Sequence, residues 1–221
     1  MSVTRIKICG LTREEEIEAV NEALPDYIGF VFASTSRRRL SFTCAHRLRS
    51  YLNPSIMTVG VFVDEDIDNV VGACECGIVD VVQLHGTEDD MYIKALKAGI
   101  SNEIIKAIRV RDHRDVEAAK LLPSDYLLFD TYHQGTWGGT GMSFDWSLIA
   151  GVERPFFLAG GINEDNIDKA IEQCRPYCVD VSSSVETNGY KDPTKIKSIV
   201  RAVRKLDKGQ TGQEEPCFTK C

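Results

Sequence analysis

Two residues of this 221-residue chain combine proton-transfer chemistry with a position at the end of an apolar run. Cys9 ends the run Ile6-Lys7-Ile8-Cys9, and Asp130 ends the run Asp125-Tyr126-Leu127-Leu128-Phe129-Asp130. A thiol and a carboxylic acid can act as general base and general acid when both face one ligand. Each also has a simpler explanation, since a cysteine there can be a small buried hydrophobic residue and an aspartate can anchor the next loop. The interpretation therefore depends on whether the fold brings the two side chains together.

Two other apolar runs end in residues that suit a bound anion. Gly160-Gly161 follows Pro155–Ala159, and Ser182-Ser183-Ser184 follows Cys178–Val181. Small residues let a ligand approach the backbone, and N–H groups at strand-to-helix turns attract anions. These residues predict a phosphate site, with a pair of tight turns that need glycine for geometry alone as the alternative.

The elements that must position these residues form a repeating pattern of a short apolar run followed by an amphipathic segment. Eight such strands are predicted: Ile6–Cys9, Tyr27–Phe32, Thr58–Val63, Asp80–Leu84, Glu103–Ile108, Asp125–Asp130, Pro155–Ala159 and Cys178–Val181. Eight strand-then-helix units in a chain of this length predict an α/β fold, a single-domain (β/α)8 TIM barrel. A doubly wound open sheet is the alternative, but it usually needs fewer strands. The barrel would span residues 1–206.

Composition limits the partners. Hydrophobic residues make up 43% of the chain and charged residues 27%, as in ordinary soluble domains. A net charge of −7 argues against nucleic acid or an anionic membrane as the main partner, and no apolar run approaches a membrane span. The eight cysteines are scattered and no signal peptide is evident, which favours reduced thiols in the cytoplasm. The polar segment 207–221 is expected to be a flexible tail.

A barrel places its active site at the carboxyl ends of the strands. This rule selects the following positions: Cys9, the basic loop after Phe32, Asp64, His85, Arg109, Asp130, Gly160-Gly161 and Ser182–Ser184. Thr12 can cap the helix after the first strand, and the positive N-terminal end of that helix would favour a thiolate at Cys9. The four histidines lie at unrelated spacings, so no metal site is expected.

Seven short motifs resemble those of the phosphoribosylanthranilate isomerase family of tryptophan biosynthesis, in the same order and with similar spacing. They are Lys7-Ile8-Cys9-Gly10-Leu11, Gly60-Val61-Phe62-Val63, Val82-Gln83-Leu84-His85-Gly86, Gly138-Gly139-Thr140-Gly141, Phe144-Asp145-Trp146, Leu158-Ala159-Gly160-Gly161-Ile162 and Asp180-Val181-Ser182-Ser183. The resemblance covers about residues 5–205. Each motif alone is weak, but seven in sequence are specific.

The resemblance implies an Amadori rearrangement of N-(5-phosphoribosyl)anthranilate by general acid and base catalysis, without metal or cofactor. By motif, Asp130 would protonate the furanose ring oxygen and Cys9 would take the C2 proton. Arg38 would hold the anthranilate carboxylate, although three consecutive arginines leave that assignment open by one position. The ligand would be a small phosphosugar.

The resemblance also assigns the phosphate cradle to Gly160, Gly161, Ser182 and Ser183. His85 would line the site, or could merely bond the backbone at the rim. Ser184 stands where the family commonly has glycine, and it would be strained if the backbone there required a positive φ. Glu186 and Asp64 could order the site without taking part in the chemistry.

Other phosphate-binding barrels remain as alternatives at this point. A histidine-pathway isomerase would be expected to carry a carboxylate where Cys9 stands, and an indole-glycerol-phosphate synthase a lysine-rich site. A phosphosugar-binding barrel without catalysis is a third possibility. A monomer and a homodimer are both compatible with the sequence.

Overall fold

A computed structural model describes residues 3–131 and 145–211, the last helix by its backbone alone beyond Leu206. The strands are β1 Arg5–Cys9, β2 Tyr27–Val31, β3 Met57–Phe62, β4 Val81–Leu84, β5 Glu103–Val110, β6 Tyr126–Thr131, β7 Phe156–Leu158, β8 Cys178–Val181, β9 Glu186–Thr187 and β10 Tyr190–Lys191. The helices are α1 Glu14–Ala23, α2 Phe42–Ser50, α3 Ile67–Glu75, α4 Asp90–Gly99, α5 His113–Ala119, α6 Ile167–Cys174 and α7 Pro193–Thr211. Two short 3-10 helices cover Trp146–Ile149 and Ser183–Val185.

Strands β1 to β8 form a closed parallel barrel in chain order, so the open-sheet alternative is wrong and the (β/α)8 prediction is confirmed. The barrel closes where β1 pairs with β8, with Lys7 in register with Asp180. Strand β5 runs two residues beyond the predicted end, which places Arg109 inside the strand and in register with Asp130. Strands β9 and β10 form a small antiparallel hairpin after β8.

Side-chain caps start several of the surrounding helices. Ser41, Asp66, Asp89 and Asp112 each accept a hydrogen bond from a backbone N–H of the first turn. The first helix differs from the prediction that Thr12 caps it.

The N-cap of α1 is Arg13, one residue later than predicted. The buried Glu16 carboxylate reaches back to accept the backbone N–H groups of Thr12 and Arg13, at 2.5 and 3.1 Å. A carboxylate within the first turn therefore satisfies the N–H groups that a threonine cap was expected to serve.

The barrel interior divides into two regions along its axis. An apolar group that we call the lower cluster fills the barrel mainly toward the amino ends of the strands, with Ala159 reaching the cavity: Tyr27, Val59, Val81, Ile105, Ala107, Leu128, Phe157, Ala159 and Cys178. Above it lies the polar layer, which consists of Lys7, Gln83 and Asp180, all buried. Side chains of a strand alternate between its two faces, so the intervening residues pack outward against the helices.

Two parts of the chain predicted from the sequence fall partly or wholly outside the described residues. The motif Gly138–Gly141 and Phe144 lie there, as do residues 212–221. Helix α7 extends to Thr211, five residues into the segment expected to be a tail. Flexibility of the segment 207–221 stays a prediction.

Candidate active site

A cavity of about 500 Å³ opens at the carboxyl ends of the barrel strands. All eight site residues predicted from the sequence line it: Cys9, Arg38, His85, Asp130, Gly160, Gly161, Ser182 and Ser183. They come from five strand ends and one loop that are far apart in the chain. The barrel topology thus brings the thiol, the carboxyl group, the arginine and the glycine- and serine-containing turns to a single cavity.

Cys9 is buried, with 9% of its surface exposed, and its thiol occupies a space left by β2. Its register partner is Gly29, where an added Cβ would lie only 2.6 Å from the Cys9 Sγ. A side chain at position 29 would therefore displace the thiol from the cavity wall.

The expected influence of a helix N-terminus on Cys9 is wrong. Helix α1 begins only at Glu14, and its first turn carries Glu14, Glu15 and Glu16, which is an unfavourable neighbourhood for an anion. Burial raises the pKa of the Cys9 thiol, and the positive charge of Lys7 opposes this rise. Lys7, two residues earlier on the same strand face, is the main group that favours the thiolate.

Lys7 is fully buried in the polar layer and was not predicted from the sequence. Its Nζ donates to Asp180 Oδ2 at 2.8 Å and to Gln83 Oε1 at 2.7 Å. Burial alone would lower the pKa of Lys7, but the negative charges of Asp180 and Cys9 more than offset this and raise it. Lys7 is therefore a permanent cation below the thiol.

Asp130 lies at the top of β6 beside one backbone donor and the ring of His85. Its Oδ1 accepts the Thr131 backbone N–H at 2.8 Å, and its Oδ2 lies 3.3 Å from His85 Nε2. Gly160, with φ of 80°, passes close by, and a Cβ there would lie 2.8 Å from Asp130 Oδ1. The glycine at this turn thus makes room for the carboxyl group and adopts a backbone conformation that other residues avoid.

Arg37 and Arg38 both line the cavity, but only Arg38 is well enclosed, with 16% of its side chain exposed against 61% for Arg37. Arg38 Nε donates to Glu186 Oε1 at 2.6 Å. Within the described residues its two terminal nitrogens make no hydrogen bond, which leaves the outer edge of the guanidinium for a ligand. This geometry favours Arg38 over Arg37 as the carboxylate-binding residue.

Glu186 connects three cations at the mouth of the cavity. Besides Arg38, its carboxylate accepts hydrogen bonds from Arg37 Nη2 at 2.5 Å and from Lys191 Nζ at 2.7 Å. Burial works against its charge, yet the hydrogen bonds from Arg38 and Lys191 hold the pKa of Glu186 below its usual value. Glu186 therefore orders the arginine loop against the last strand.

The turns after β7 and β8 line the side of the cavity that the sequence predicts to bind an anion. Gly160 and Gly161 both have positive φ, 80° and 72°, and their N–H groups have no acceptor in the described parts of the chain. The Ser182 hydroxyl donates to the Cys9 carbonyl oxygen at 3.0 Å, so it ties the first strand to the eighth. Free N–H groups at such turns are the donors that a phosphate requires.

Ser184 is not strained, because it lies in a 3-10 helix and is absent from the residues with positive φ. Its hydroxyl and the Asp180 Oδ1 are buried at the cavity wall and have no hydrogen-bond partner among residues 3–131 and 145–211. Buried polar atoms in native proteins are normally satisfied. Both atoms are therefore available to a polar ligand.

Asp64 does not line the cavity. It has positive φ, 48°, and its Oδ1 accepts the N–H of Thr87 at 2.6 Å, while its own N–H donates to Glu88. It thus links two loops of the barrel rim at a distance from the thiol and the carboxyl group.

Residues 6–202 match the family described as N-(5'-phosphoribosyl)anthranilate (PRA) isomerase. The chain belongs to this family. A PRA isomerase of Endomicrobium trichonymphae is 51% identical over 202 residues, which is 91% of this chain and 99% of the relative. One from Thermoanaerobacter pseudethanolicus is 45% identical over 204 residues, covering 91% and 98%.

Solved PRA isomerase structures share the fold. The enzyme of Thermotoga maritima superposes with a TM-score of 0.84 at 35% identity, covering 91% of this chain and 99% of that one. A PRA isomerase in complex with reduced 1-(o-carboxyphenylamino)-1-deoxyribulose 5-phosphate gives 0.81 at 34% identity, with the same coverage. These findings confirm the predicted family and with it the isomerase role in tryptophan biosynthesis. The histidine-pathway and indole-glycerol-phosphate synthase alternatives are wrong.

Proposed function

We propose that this chain converts N-(5'-phosphoribosyl)anthranilate into 1-(2-carboxyphenylamino)-1-deoxyribulose 5-phosphate, with Asp130 as general acid and Cys9 as general base. The observation that carries the proposal is that both groups line one cavity together with an arginine and two anion-binding turns. The relative solved with a reduced phosphosugar ligand belongs to the same family and fold. The acid, the base, the arginine and the two turns would serve the ring oxygen, the C2 proton, the carboxylate and the phosphate of the substrate, in that order.

The substrate would be held at its two anionic ends. The phosphate would bind the N–H groups of Gly160 and Gly161 and the Ser182–Ser183 turn, where glycine permits a close approach. The carboxylate of the anthranilate would pair with the free edge of the Arg38 guanidinium, since a planar fork of donors suits a carboxylate. Binding at both ends would place the ribose between Cys9 and Asp130.

The first step would be opening of the furanose ring. Asp130 gives its proton to the ring oxygen as the C1–O bond breaks, and the anthranilate nitrogen supplies the electron pair that forms the C1=N bond. The carboxylate that remains on Asp130 is stabilised by the Thr131 N–H and by the neighbouring His85 ring.

The second step would be removal of the C2 proton by the Cys9 thiolate. The electron pair of that bond forms C1=C2 and returns the C1=N pair to nitrogen, which gives the enolamine. Protonation at C1 and loss of the hydroxyl proton at C2 then produce the ketone. Protons taken up equal protons released, so the scheme requires no redox partner.

The decisive experiment is an assay of Cys9→Ala and Asp130→Asn for loss of the fluorescent substrate. General acid or base catalysis contributes about 10²–10⁴-fold, so each variant should lose at least about 10²-fold in kcat while still binding substrate. Cys44→Ala and Asp168→Asn are matched controls, because both residues are exposed on helices away from the cavity. Wild-type turnover in Cys9→Ala would refute the role of the thiol, and an inactive wild-type chain would support a non-catalytic phosphosugar binder instead.

We also propose a cytoplasmic location without nucleic-acid partners, in keeping with the net charge of −7 and six free cysteines among the described residues. No helix in the described part of the chain is long and apolar enough to cross a membrane. A Thermotoga maritima relative is described as dimeric. Light scattering of this chain would decide between the monomer and the homodimer.

A further inference from the structure

A continuous row of polar contacts crosses the barrel interior from β8 to β6 beneath the cavity. Asp180 contacts Lys7, and Lys7 contacts Gln83 at 2.7 Å. The Gln83 amide nitrogen lies 2.8 Å from His85 Nδ1, and His85 Nε2 lies 3.3 Å from Asp130. The row therefore ends on the carboxyl group assigned as the general acid.

The donor and acceptor roles along this row follow from its charged end. An ammonium group has only donors, so the Gln83 atom facing Lys7 must be the carbonyl oxygen. The amide nitrogen of Gln83, which also only donates, is then left facing His85. Its hydrogen requires an acceptor, and so His85 Nδ1 carries no proton.

A neutral imidazole without a proton on Nδ1 carries it on Nε2. The Nε2–H group then lies on the side of the ring that faces Asp130, with Nε2 3.3 Å from Asp130 Oδ2. We propose that Lys7 and Gln83 are positioning residues that lock His85 in the Nε2–H tautomer, and that His85 thereby turns the acidic proton of Asp130 toward the substrate. The proposal rests on the general-acid role given to Asp130 above.

The alternative tautomer, which Lys7 and Gln83 exclude, would direct the Asp130 proton away from the substrate. With the proton on Nδ1, Nε2 would be an acceptor and would draw the Asp130 proton toward the ring and away from the cavity. With the proton on Nε2, the ring offers only a donor, and Asp130 Oδ1 already accepts from Thr131. The acidic hydrogen is therefore left to point into the cavity, and the carboxylate formed after proton transfer meets two N–H groups.

Other charged groups lie near the row, among them Arg109 of β5, which is in register with Asp130. Asp180 neutralises Lys7 from β8, and Cys9 lies above Lys7 on β1. The buried ion pair Lys106–Glu88 lies on the strand and loop next to His85, where Lys106 also donates to the Gly86 carbonyl oxygen. Gln83, in contact with both Lys7 and His85, is the residue through which the charge of Lys7 sets the orientation of the ring.

Gln83→Glu is the sharpest test, because it keeps the size of the side chain and the contact with Lys7 but replaces the donor by an acceptor. His85 would then have to present Nδ1–H. Long-range 1H–15N correlation spectra of 15N-histidine-labelled protein distinguish the two tautomers. Wild type should show a protonated Nε2 and an unprotonated Nδ1 at His85, and Gln83→Glu should show a protonated Nδ1.

The kinetic consequence is a loss of kcat in Gln83→Glu of about 10²-fold, the lower range of an acid-catalysis term, with little change in KM. Gln173→Glu makes the same chemical change on an exposed face of α6 and should leave both readouts unaltered. His46 and His113, both away from the cavity, serve as internal references in the spectra.

A wild-type His85 with a proton on Nδ1, or Gln83→Glu with unchanged His85 signals and wild-type kcat, would overturn the proposal. The wild-type spectrum decides the tautomer even if the variant fails to fold. Absence of isomerase activity in the wild-type chain would refute the proposed function, whereas the tautomer signal would still report on the lock by itself.

Discussion

The lower cluster and the polar layer share strands β4 and β8, on which their residues lie only two positions apart, yet they serve opposite purposes. Along β8 the inward positions change from Cys178 to Asp180, and along β4 they change from Val81 to Gln83. The lower positions bury apolar surface, which is the main favourable term in folding. The upper positions bury charge and amide groups, which cost free energy unless they are paired. We infer that the amino end of the barrel contributes to stability, whereas the carboxyl end lowers stability in order to hold the polar groups that the chemistry requires.

Converting the polar layer into a second apolar layer should produce the largest effect. Lys7→Met leaves the Asp180 charge buried without its partner, and breaking such a pair costs about 3–5 kcal/mol in the free energy of unfolding. The double variant Lys7→Met/Asp180→Leu should regain most of this stability, because replacing a buried pair by apolar residues is often neutral or stabilising. Chemical denaturation measures both.

Neither variant should regain activity. Loss of Lys7 removes the cation that lowers the pKa of Cys9, and each pKa unit gained there reduces the thiolate about tenfold at neutral pH. A double variant that is stable and fully active would contradict the division between the two regions.

The reverse change, made in the lower cluster, should affect stability alone. Ile105 is fully buried on β5, a strand that carries none of the proposed catalytic groups. Ile105→Ala should lower the free energy of unfolding by about 2–5 kcal/mol, and Ile105→Val by about 0.5–1.5 kcal/mol. The kcat of both variants, measured well below their melting temperatures, should equal that of wild type. A loss of kcat in proportion to the loss of stability would argue against the division between the lower cluster and the polar layer.

The two buried thiols, Cys9 and Cys178, allow the contrast to be measured by titration. Burial raises the pKa of both thiols above the ordinary value of 9.0. The rise is large for Cys178, which lies in the lower cluster, whereas the positive charge of Lys7 opposes it for Cys9. Only the thiolate is alkylated, so the rate of each should rise about tenfold per pH unit up to its own pKa.

Site-resolved alkylation by iodoacetamide, followed by mass spectrometry from pH 7 upward, should therefore give a midpoint above 9.0 for Cys9 and a higher one for Cys178. The position of the midpoint, rather than the absolute rate, carries the information because access differs between the sites. A Cys9 midpoint below 9.0 would mean that a group other than Lys7 stabilises the thiolate.

The smallest effects are expected at the rim, where the charges are partly solvated. Arg38→Gln should raise KM by about 10- to 100-fold, since a hydrogen bond to a charged group contributes about 1.5–3 kcal/mol. Arg37→Gln should change KM by less than about fivefold, as for an exposed ion pair of at most about 1 kcal/mol. Steady-state assays of the two variants also distinguish Arg38 from Arg37, the two arginines of the loop that line the cavity, and equal effects would leave Arg38 without a special role.

The sequence predicts the fold and the outer wall of the site because the apolar runs and the small residues that end them are local signals. The signal for the polar layer was also present, as a lysine and an aspartate inside the apolar runs of Ile6–Cys9 and Cys178–Val181. Their partnership depends on closure of β1 against β8, which brings together residues that no local pattern connects. The contact of His85 with Asp130 likewise joins β4 to β6 across the barrel.

The two errors of the sequence interpretation have a common origin. The cap of α1 and the thiolate-favouring helix terminus both assumed that the helix starts directly after β1. The buried carboxylate of Glu16 holds the intervening turn instead, and its N–H partners at Thr12 and Arg13 set the start of the helix. A long-range requirement of Glu16, which also accepts the Lys191 N–H, outweighs the local preference.

The fit between Gly29 and the Cys9 thiol has a consequence for directed evolution of this barrel. Because the sulfur occupies the space that a side chain at position 29 would fill, the residue at position 9, the proposed base, and the glycine at position 29 depend on each other. Substitutions in contact are not additive. A library that varies position 9 alone is limited to side chains that fit the space beside Gly29. A library that varies both positions together can include side chains of other shapes at position 9.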